Sequence, residues 1–200
     1  MTRSAGGPGR VARPGRPGEV RLIGGAWKRS KLRVPDIPGL RPTPDRVRET
    51  LFNWLGQRLD GWRCLDAFAG SGALGFEAAS RGAAEVLLLE QDAGAVAGLQ
   101  AARQRLGGTT LRVERADALA WMRRCADATW DLVFLDPPFD TGLLAPALSE
   151  AVRLVPEGGW VYVEGPVALA DPPHGLECPH RGRAGAVHYA LLRRRYTAAV

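Results

Sequence analysis

Cysteines and long apolar stretches are both scarce in this 200-residue chain. Its three cysteines, Cys64, Cys125 and Cys178, are an odd number, lie far apart and lack the CxxC spacing of a metal or redox site, so we expect buried structural thiols. No apolar run approaches the ~20 residues that span a bilayer, and the N-terminus has no apolar core of a secretory signal. These absences argue against a secreted or membrane protein, and they predict a soluble, cytoplasmic monomer with one compact domain.

Acidic residues are scarce in the first 48 positions, where twelve Lys and Arg face only three Asp and Glu. This front end therefore carries a net charge of +9, against +6 for the whole chain, and the remainder is mildly acidic. Such a front end predicts contact with a polyanion, because clustered cations release counterions from phosphates; a merely solubilising segment is the alternative. Residues 1–18 have almost no apolar side chains and are predicted to form a flexible basic arm.

Histidines are few as well, and all three come late in the chain. His174, His180 and His188 show no metal-ligand spacing, so we expect them at surface or sheet positions. The sequence therefore predicts no metal site.

The rest of the chain alternates between strand-like and helix-like patterns. Residues 19–61 predict a short basic ribbon, with strands at 20–23 and 32–34, and a helix that Thr43 caps and that continues to about Asp60. From residue 62 to 200, strands are predicted at 64–68, 85–89, 110–113, 131–135 and 160–163, with helices at 73–80, 93–106, 118–126 and 143–154. Two consecutive strands, 176–180 and 187–193, follow. This order predicts a Rossmann-like α/β fold with a mostly parallel sheet and an antiparallel C-terminal hairpin.

A glycine-rich turn follows the first core strand and opens the next helix. Residues 70–75 fit the pattern GxGxxG, and Glu90 lies 20 residues after Gly70, at the end of the second strand. Glycines let a ligand approach the backbone, the helix N-terminus favours negative charge, and an acid at this position binds ribose hydroxyls. The turn therefore predicts a nucleotide-like ligand and fits NAD and S-adenosylmethionine equally well.

A second motif, Asp136-Pro137-Pro138-Phe139, follows the fourth core strand. In an open α/β sheet this strand end lies beside the glycine turn, across the ligand crevice. The Asp136 carboxylate and the Pro137 carbonyl can accept both hydrogens of an exocyclic amine, and Phe139 can stack on a base. An ordinary proline turn with Phe139 in the core is the alternative. We prefer a site that positions a base amine for methyl transfer.

The glycine turn and Asp136-Pro137-Pro138-Phe139 resemble motifs I and IV of class I amino-methyltransferases that act on nucleic acid bases. More specifically, the segments 21–25, 40–55 and 64–82 resemble the RsmD family of 16S rRNA guanine-N2 methyltransferases, and the resemblance covers residues 19–195. It implies a class I methyltransferase core that uses S-adenosylmethionine and acts on 16S rRNA or the small ribosomal subunit. The reaction needs no metal.

The resemblance also assigns roles to individual residues. The methionine end of the cofactor site is assigned to Asp66, Phe68, Gly70, Gly72 and Gly75. Glu90 is expected at the ribose, and Asp117 at the adenine amino group or as a helix N-cap. The target guanine is assigned to Asp136, Pro137 and Phe139. RNA contact is assigned to Arg41, Thr43 and Arg46, although an arginine on a helix is often only solvated.

Several alternatives remain open at this level. Adenine N6 is a second possible target, although Asp at the first position of motif IV, where many DNA adenine methyltransferases have Asn, favours guanine N2. A dinucleotide-dependent oxidoreductase would share the glycine turn and Glu90, but it gives no reason for the two prolines. A non-catalytic RNA-binding assembly factor would keep the basic front end and would have lost cofactor residues, which are all present.

Overall fold

A computed structural model describes residues 18–37 and 42–196. The predicted arm, except for Gly18, and Arg41 lie outside the described residues. The strands are β1 (Glu19–Arg21), β2 (Lys31–Arg33), β3 (Arg63–Asp66), β4 (Glu85–Glu90), β5 (Leu111–Arg115), β6 (Leu132–Leu135), β7 (Trp160–Gly165), β8 (Leu176–Ala184) and β9 (Val187–Arg194). The helices are α1 (Asp45–Trp54), α2 (Ala73–Ser80), α3 (Ala93–Leu106), α4 (Ala118–Met122) and α5 (Leu144–Leu154).

Seven strands form the main sheet in the order β5-β4-β3-β6-β7-β9-β8. Strands β3 to β7 are parallel to one another, whereas β9 runs antiparallel to β7 and β8 runs antiparallel to β9. This confirms the predicted mostly parallel sheet with an antiparallel C-terminal hairpin. The chain moves outward from β3 in one direction through β4 and β5, and β6 then returns to the other side of β3. The carboxyl ends of β3 and β6 therefore flank the crevice where such sheets bind ligands.

Apolar side chains cover both faces of this sheet. One cluster joins the small β1-β2 ribbon and α1 to α2, with Leu22, Leu51, Phe52 and Phe76 all buried. The other cluster packs α4 and α5 on the opposite face. The basic ribbon is thus fixed to the core through its own apolar residues, because alternate ribbon positions such as Leu32 point inward while their neighbours are exposed.

Three local predictions about helices were wrong. Helix α1 ends at Trp54, well before Asp60, because Gly56 and Gln57 adopt left-handed backbone conformations with φ of 85° and 71°. Helix α4 ends at Met122, and the Arg153 guanidinium donates to the carbonyls of Met122 and Cys125 at 2.6 and 2.7 Å, which replaces further helical bonding.

Thr43 does not cap α1. Pro44 holds the N-cap position without any side-chain hydrogen bond, and the Thr43 hydroxyl is directed elsewhere. The expectation for the thiols holds in part, since Cys64 is buried but Cys125 and Cys178 are half-buried. The histidines lie as predicted: His174 is exposed, and His180 and His188 lie in β8 and β9. None of the helices in the described ranges is long and apolar enough to cross a membrane.

Candidate active site

The glycine turn links β3 to α2 through backbone that other residues adopt poorly. Gly70 and Gly72 have φ values of 50° and 78°. A Cβ added at Gly72 would lie 2.6 Å from a methyl group of Leu99 and 2.8 Å from the Phe76 ring. Position 72 is therefore restricted to glycine by both conformation and packing, and the two glycines bring backbone without side chains to the carboxyl edge of the sheet.

Two acids, Asp66 and Glu90, stabilise the conformation of this turn by accepting hydrogen bonds from its backbone. Asp66 is buried at the end of β3 and accepts a hydrogen bond from the Gly75 N–H at 2.9 Å. Burial raises the pKa of Asp66 to about 7, a rise that the Gly75 hydrogen bond opposes and the charges of Glu90 and Glu164 reinforce. At the end of β4, Glu90 accepts from the Gly70 N–H at 2.8 Å. Both carboxylates are thus tied to the backbone of the turn.

The third strand end carries Asp117, whose side chain accepts from the Ala120 N–H at 2.7 Å and caps α4. The predicted N-cap is confirmed. Asp117 is exposed, so its carboxylate remains accessible at the same sheet edge. Its contact with an adenine amino group stays a prediction.

Asp136-Pro137-Pro138-Phe139 leaves the sheet directly beside the glycine turn. Asp66 and Phe134 are register partners in β3 and β6, and the Ala67 N–H donates to the Phe134 carbonyl at 3.2 Å. Pro137 is buried, whereas Phe139 is 36% exposed and so is not a core residue. An exposed ring beside a half-buried carboxylate can take a planar ligand.

A threonine connects Asp136 to a second carboxylate that the sequence analysis did not identify. The Thr43 hydroxyl donates to Oε1 of Glu164 at 2.8 Å and lies 3.4 Å from Oδ2 of Asp136. The Tyr162 hydroxyl donates to the same Glu164 oxygen at 2.8 Å. Glu164 is only 3% exposed and lies near the end of β7, the strand next to β6. Two acids therefore meet around one hydroxyl.

The proximity of these acids changes their proton affinity. Burial raises the pKa of Asp136 well above its ordinary value, and the charges of Glu164 and Asp66 raise it further. Burial also raises the pKa of Glu164, while the hydrogen bonds from Thr43 and Tyr162 oppose the rise. Like charges this close disfavour double ionisation, so the pair retains a proton at a higher pH than isolated carboxyls do.

A cavity of about 510 Å³ opens against Glu164. Its walls are apolar apart from three acids, Asp140, Glu164 and Asp171, and they include Pro137, Pro138 and Phe139. A second cavity of about 600 Å³ is polar and lies between the ribbon, α1 and Arg81, away from the glycine turn. The first cavity is the one that adjoins the reactive motif.

A buried arginine positions Thr43. Arg48 is fully buried in α1, and its Nε donates to the Thr43 carbonyl at 3.2 Å. Its two terminal nitrogens bind Glu77 of α2 at 3.1 Å and the Arg21 carbonyl at 2.7 Å. Arg46, two residues earlier, is exposed on the first turn of α1. The segment predicted to contact RNA thus contains an inward residue, Thr43, and an outward one, Arg46.

Glu164, Tyr162 and Arg48 were missed from the sequence. The signal for Glu164 was the one used for Asp66, Glu90 and Asp136, an acid at the carboxyl end of a buried strand, but the strand was predicted to end at Val163. Arg48 gave no signal because arginine is rarely buried without a buried partner: its nearby partner Asp45 is exposed, and its buried partner Glu77 is 29 positions away.

The sheet order, the glycine turn and the motif at the end of β6 together define a class I methyltransferase fold. A family model described as "Conserved hypothetical protein 95" matches residues 20–193. The chain belongs to this family, and its similarity to proteins named ribosomal RNA small subunit methyltransferase D assigns it to the RsmD methyltransferases.

Relatives and solved structures agree with this assignment. The chain is 42% identical over 185 residues to ribosomal RNA small subunit methyltransferase D of Escherichia coli K12, a match that covers 88% of this chain and 91% of the relative. The same protein of Haemophilus influenzae is 42% identical over 164 residues, with 78% and 83% covered. The solved structure of E. coli YhhF, described as a methyltransferase, has a TM-score of 0.79 at 39% identity and matches 90% of this chain and 100% of that chain.

Proposed function

We propose that this protein transfers a methyl group from S-adenosylmethionine to the exocyclic N2 of a guanine in 16S rRNA. The observation that carries the proposal is the placement of Asp136-Pro137-Pro138-Phe139 beside the glycine turn, with the half-buried Asp136 carboxylate and the exposed Phe139 ring at one sheet edge. Identity of 42% to proteins named ribosomal RNA small subunit methyltransferase D supports the rRNA substrate.

The residues at the glycine turn fit the proposed cofactor. When bound, S-adenosylmethionine supplies an activated methyl group on a sulfonium. Gly70 and Gly72, on either side of the buried Ser71, have no side chains, so a ligand can approach their backbone. Glu90 already accepts three backbone N–H groups, from Gly70, Gln91 and Asp92. A carboxylate offers about four lone-pair sites, which leaves Glu90 one acceptor position for a ribose hydroxyl.

The remaining assigned residues complete this cofactor site. Phe68 is half-buried at the start of the turn, Asp66 and Gly75 hold the turn against the sheet, and Asp117 is exposed at the next strand end. An exposed carboxylate there can accept from an adenine amino group while its other contacts cap α4.

The chemistry at the target base requires positioning of a weak nucleophile. The lone pair of an exocyclic amine is delocalised into the ring, so the amine must be oriented before it attacks. Asp136 and the Pro137 carbonyl accept its two hydrogens, and Phe139 stacks on the base after it leaves its neighbours. No donor among the described residues occupies the Pro137 carbonyl oxygen. The proton released after transfer passes to Asp136 or to water.

The first experiment incubates the purified protein with radiolabelled S-adenosylmethionine and small subunits from cells that lack the enzyme, followed by nucleoside analysis. We expect label in N2-methylguanosine. Label in N6-methyladenosine would keep the positioning chemistry and overturn the base assignment, and no label in any RNA would contradict the proposal.

The variant Asp136→Ala tests the site itself. Removing the acceptor that orients the amine is expected to lower kcat by roughly 10²- to 10⁴-fold, while calorimetry shows cofactor affinity little changed. The matched control is Asp140→Asn, which removes an exposed carboxylate four residues away and keeps a residue that tolerates the φ of 64° found there. Undiminished turnover in Asp136→Ala would refute the proposed site.

A further inference from the structure

Glu164 carries one carboxylate oxygen that its protein partners do not use. Both hydroxyl donors, from Thr43 and Tyr162, bind Oε1 at 2.8 Å. Within residues 18–37 and 42–196, no donor reaches Oε2. Glu164 also lines the cavity of about 510 Å³ beside Pro137 and Phe139. A carboxylate that borders a cavity and is held through one oxygen has the other oxygen available to accept a hydrogen bond from a ligand.

Two neighbouring carboxylates can accept two adjacent N–H groups on one edge of a purine. Asp136 and Glu164 both lie within 3.4 Å of the Thr43 hydroxyl, so the two carboxylates are close neighbours. A guanine whose N2 amino group is held by Asp136 presents its N1–H immediately beside that amine. Adenine and 2-aminopurine have an unprotonated N1 there, whose lone pair a carboxylate repels.

The cavity walls fit such an uncharged ring. Every polar side chain among its lining residues is an acid, and the others are Pro, Phe, Leu, Ala and Gly. Acids disfavour a phosphate, whereas apolar walls and N–H acceptors suit a base, and ligand cavities of ~300–1,000 Å³ accommodate ligands at least as large as a purine.

We propose that Glu164 is a specificity residue that accepts the N1–H of the target base next to the amine held by Asp136, and thereby selects guanine over purines whose N1 has no hydrogen. This inference rests on the proposed function, since it identifies how the same site distinguishes bases. A site built to bind a substrate N–H rejects analogues that lack it, because its buried acceptor is then left unpaired.

The variant Glu164→Gln tests this assignment with little change of shape. The two hydroxyl donors hold the amide oxygen at the position of Oε1, so the NH₂ group takes the position of Oε2. An acceptor facing the cavity is thereby replaced by a donor, which pairs with an unprotonated N1 and opposes N1–H. The substitution should therefore move the preference toward 2-aminopurine.

The measurement compares small subunits that carry either guanine or 2-aminopurine at the mapped target position, with the same enzyme preparation. For the natural protein we expect kcat/KM to favour guanine by about 10- to 100-fold, the range of one charge-assisted hydrogen bond. In Glu164→Gln this ratio should fall at least tenfold. The ratio does not depend on how much of the variant is folded, and any contribution of the guanine O6 is common to both enzymes.

A pH series provides a second readout that a merely structural role would not change. Groups facing Glu164 are Asp136 after β6, Asp66 on β3, Tyr162 on β7 and Arg48 on α1, and its register partner on β9 is Tyr189. Because burial raises the pKa of Glu164, protonation on acidification turns its free oxygen into a donor. The preference of the natural protein for guanine should narrow as the pH falls, and that of Glu164→Gln should stay constant.

Asp171→Asn is the matched control, since it removes an exposed carboxylate from the wall of the same cavity. It should leave the guanine preference unchanged. An equal ratio in the natural protein and in Glu164→Gln would overturn the inference while leaving the methyl transfer intact. Failure of the natural protein to methylate either base would overturn the proposed function, and the inference with it.

Discussion

Three buried or half-buried acids stand at the carboxyl ends of the adjacent strands β3, β6 and β7, namely Asp66, Asp136 and Glu164. Among the described residues, the cation that opposes these raised pKa values is Arg48, which acts on Glu164. Their ionisation is therefore unfavourable in the folded protein and favourable in the unfolded chain. This concentration of acids at one sheet edge lowers the stability of the protein at neutral pH.

Asp66 gives the clearest test of this cost. Its pKa rises to about 7 on folding, so its contribution to stability is complete below about pH 4 and is lost as the pH rises toward 7. The unfolding free energy of the natural protein should fall between about pH 5 and pH 8, and in Asp66→Asn the fall should be smaller by roughly 2 kcal/mol. Urea unfolding at both pH values measures the difference. Parallel pH curves for the two proteins would contradict it.

At this scale, the sequence predicted the positions of those site residues that directly follow a recognisable strand. Asp66, Glu90 and Asp136 each follow an apolar run, and the structure brings all three to one edge. The pairing of Asp136 with Glu164 could not be predicted in this way, because it depends on Thr43, which is 93 positions from one acid and 121 from the other. The tertiary structure brings the Thr43 hydroxyl close to both carboxylates, and the sequence alone does not indicate this contact.

At the scale of elements, a buried charge cluster joins the ribbon, α1 and α2. Glu77 on α2 is fully buried and accepts from Arg48 at 3.1 Å and from Arg81 at 2.9 Å. It also accepts the backbone N–H groups of Ile23 and Gly24 at 2.9 and 2.7 Å. One carboxylate therefore forms ion pairs with two guanidinium groups and also accepts hydrogen bonds from the loop between β1 and β2. Through Arg48 the same cluster holds the segment that carries Thr43.

Removing this charge should be costly. Glu77→Gln keeps the size of the side chain but removes the buried counter-charge of both guanidinium groups and leaves Arg48 with only the exposed Asp45, at 2.6 Å, so we expect a loss of about 3 to 5 kcal/mol in unfolding free energy. Chemical denaturation measures it. Glu19→Gln is the matched control, because it breaks the exposed pair with Lys31 and should cost less than about 1 kcal/mol. Similarly small losses of unfolding free energy in Glu77→Gln and Glu19→Gln would show that the buried charge cluster contributes little to the stability of the protein.

Element order and type followed from periodicity, but two helix ends did not. Leu59 extended the helical pattern of α1, yet it lies in irregular backbone, and its N–H donates to the Arg81 carbonyl at 3.0 Å. Leu59 is buried by tertiary packing, and the spacing of apolar residues alone does not distinguish such a residue from one on the buried face of a helix. The end of α4 is likewise set by Arg153, a residue of α5, and no local signal in residues 118–126 reveals it.

At the scale of the whole molecule, charge is divided between the base site and the front end. The cavity that Glu164 and Pro137 line has only acids among its polar residues, and this disfavours the phosphates of the RNA. The basic residues concentrate before position 48, in the arm, the ribbon and the start of α1. Under the role proposed for Glu164, this division separates selection of the base from affinity for the RNA backbone, and it predicts that the two can be changed independently.

Deleting residues 1–18 tests that independence. The segment carries Arg3, Arg10, Arg13 and Arg16 and no acidic residue. Its loss should weaken RNA binding and flatten the dependence of log Kd on log salt by up to about 3, since each phosphate contact contributes roughly 0.7 to 0.9. The guanine preference should be unchanged. Binding measured between about 50 and 200 mM salt gives the slope, and a chain with these four arginines replaced by glutamine separates charge from length. If the slope is unchanged in both variants, the phosphate contacts belong to the ribbon and α1, where Arg46 is exposed, and the arm has no part in affinity.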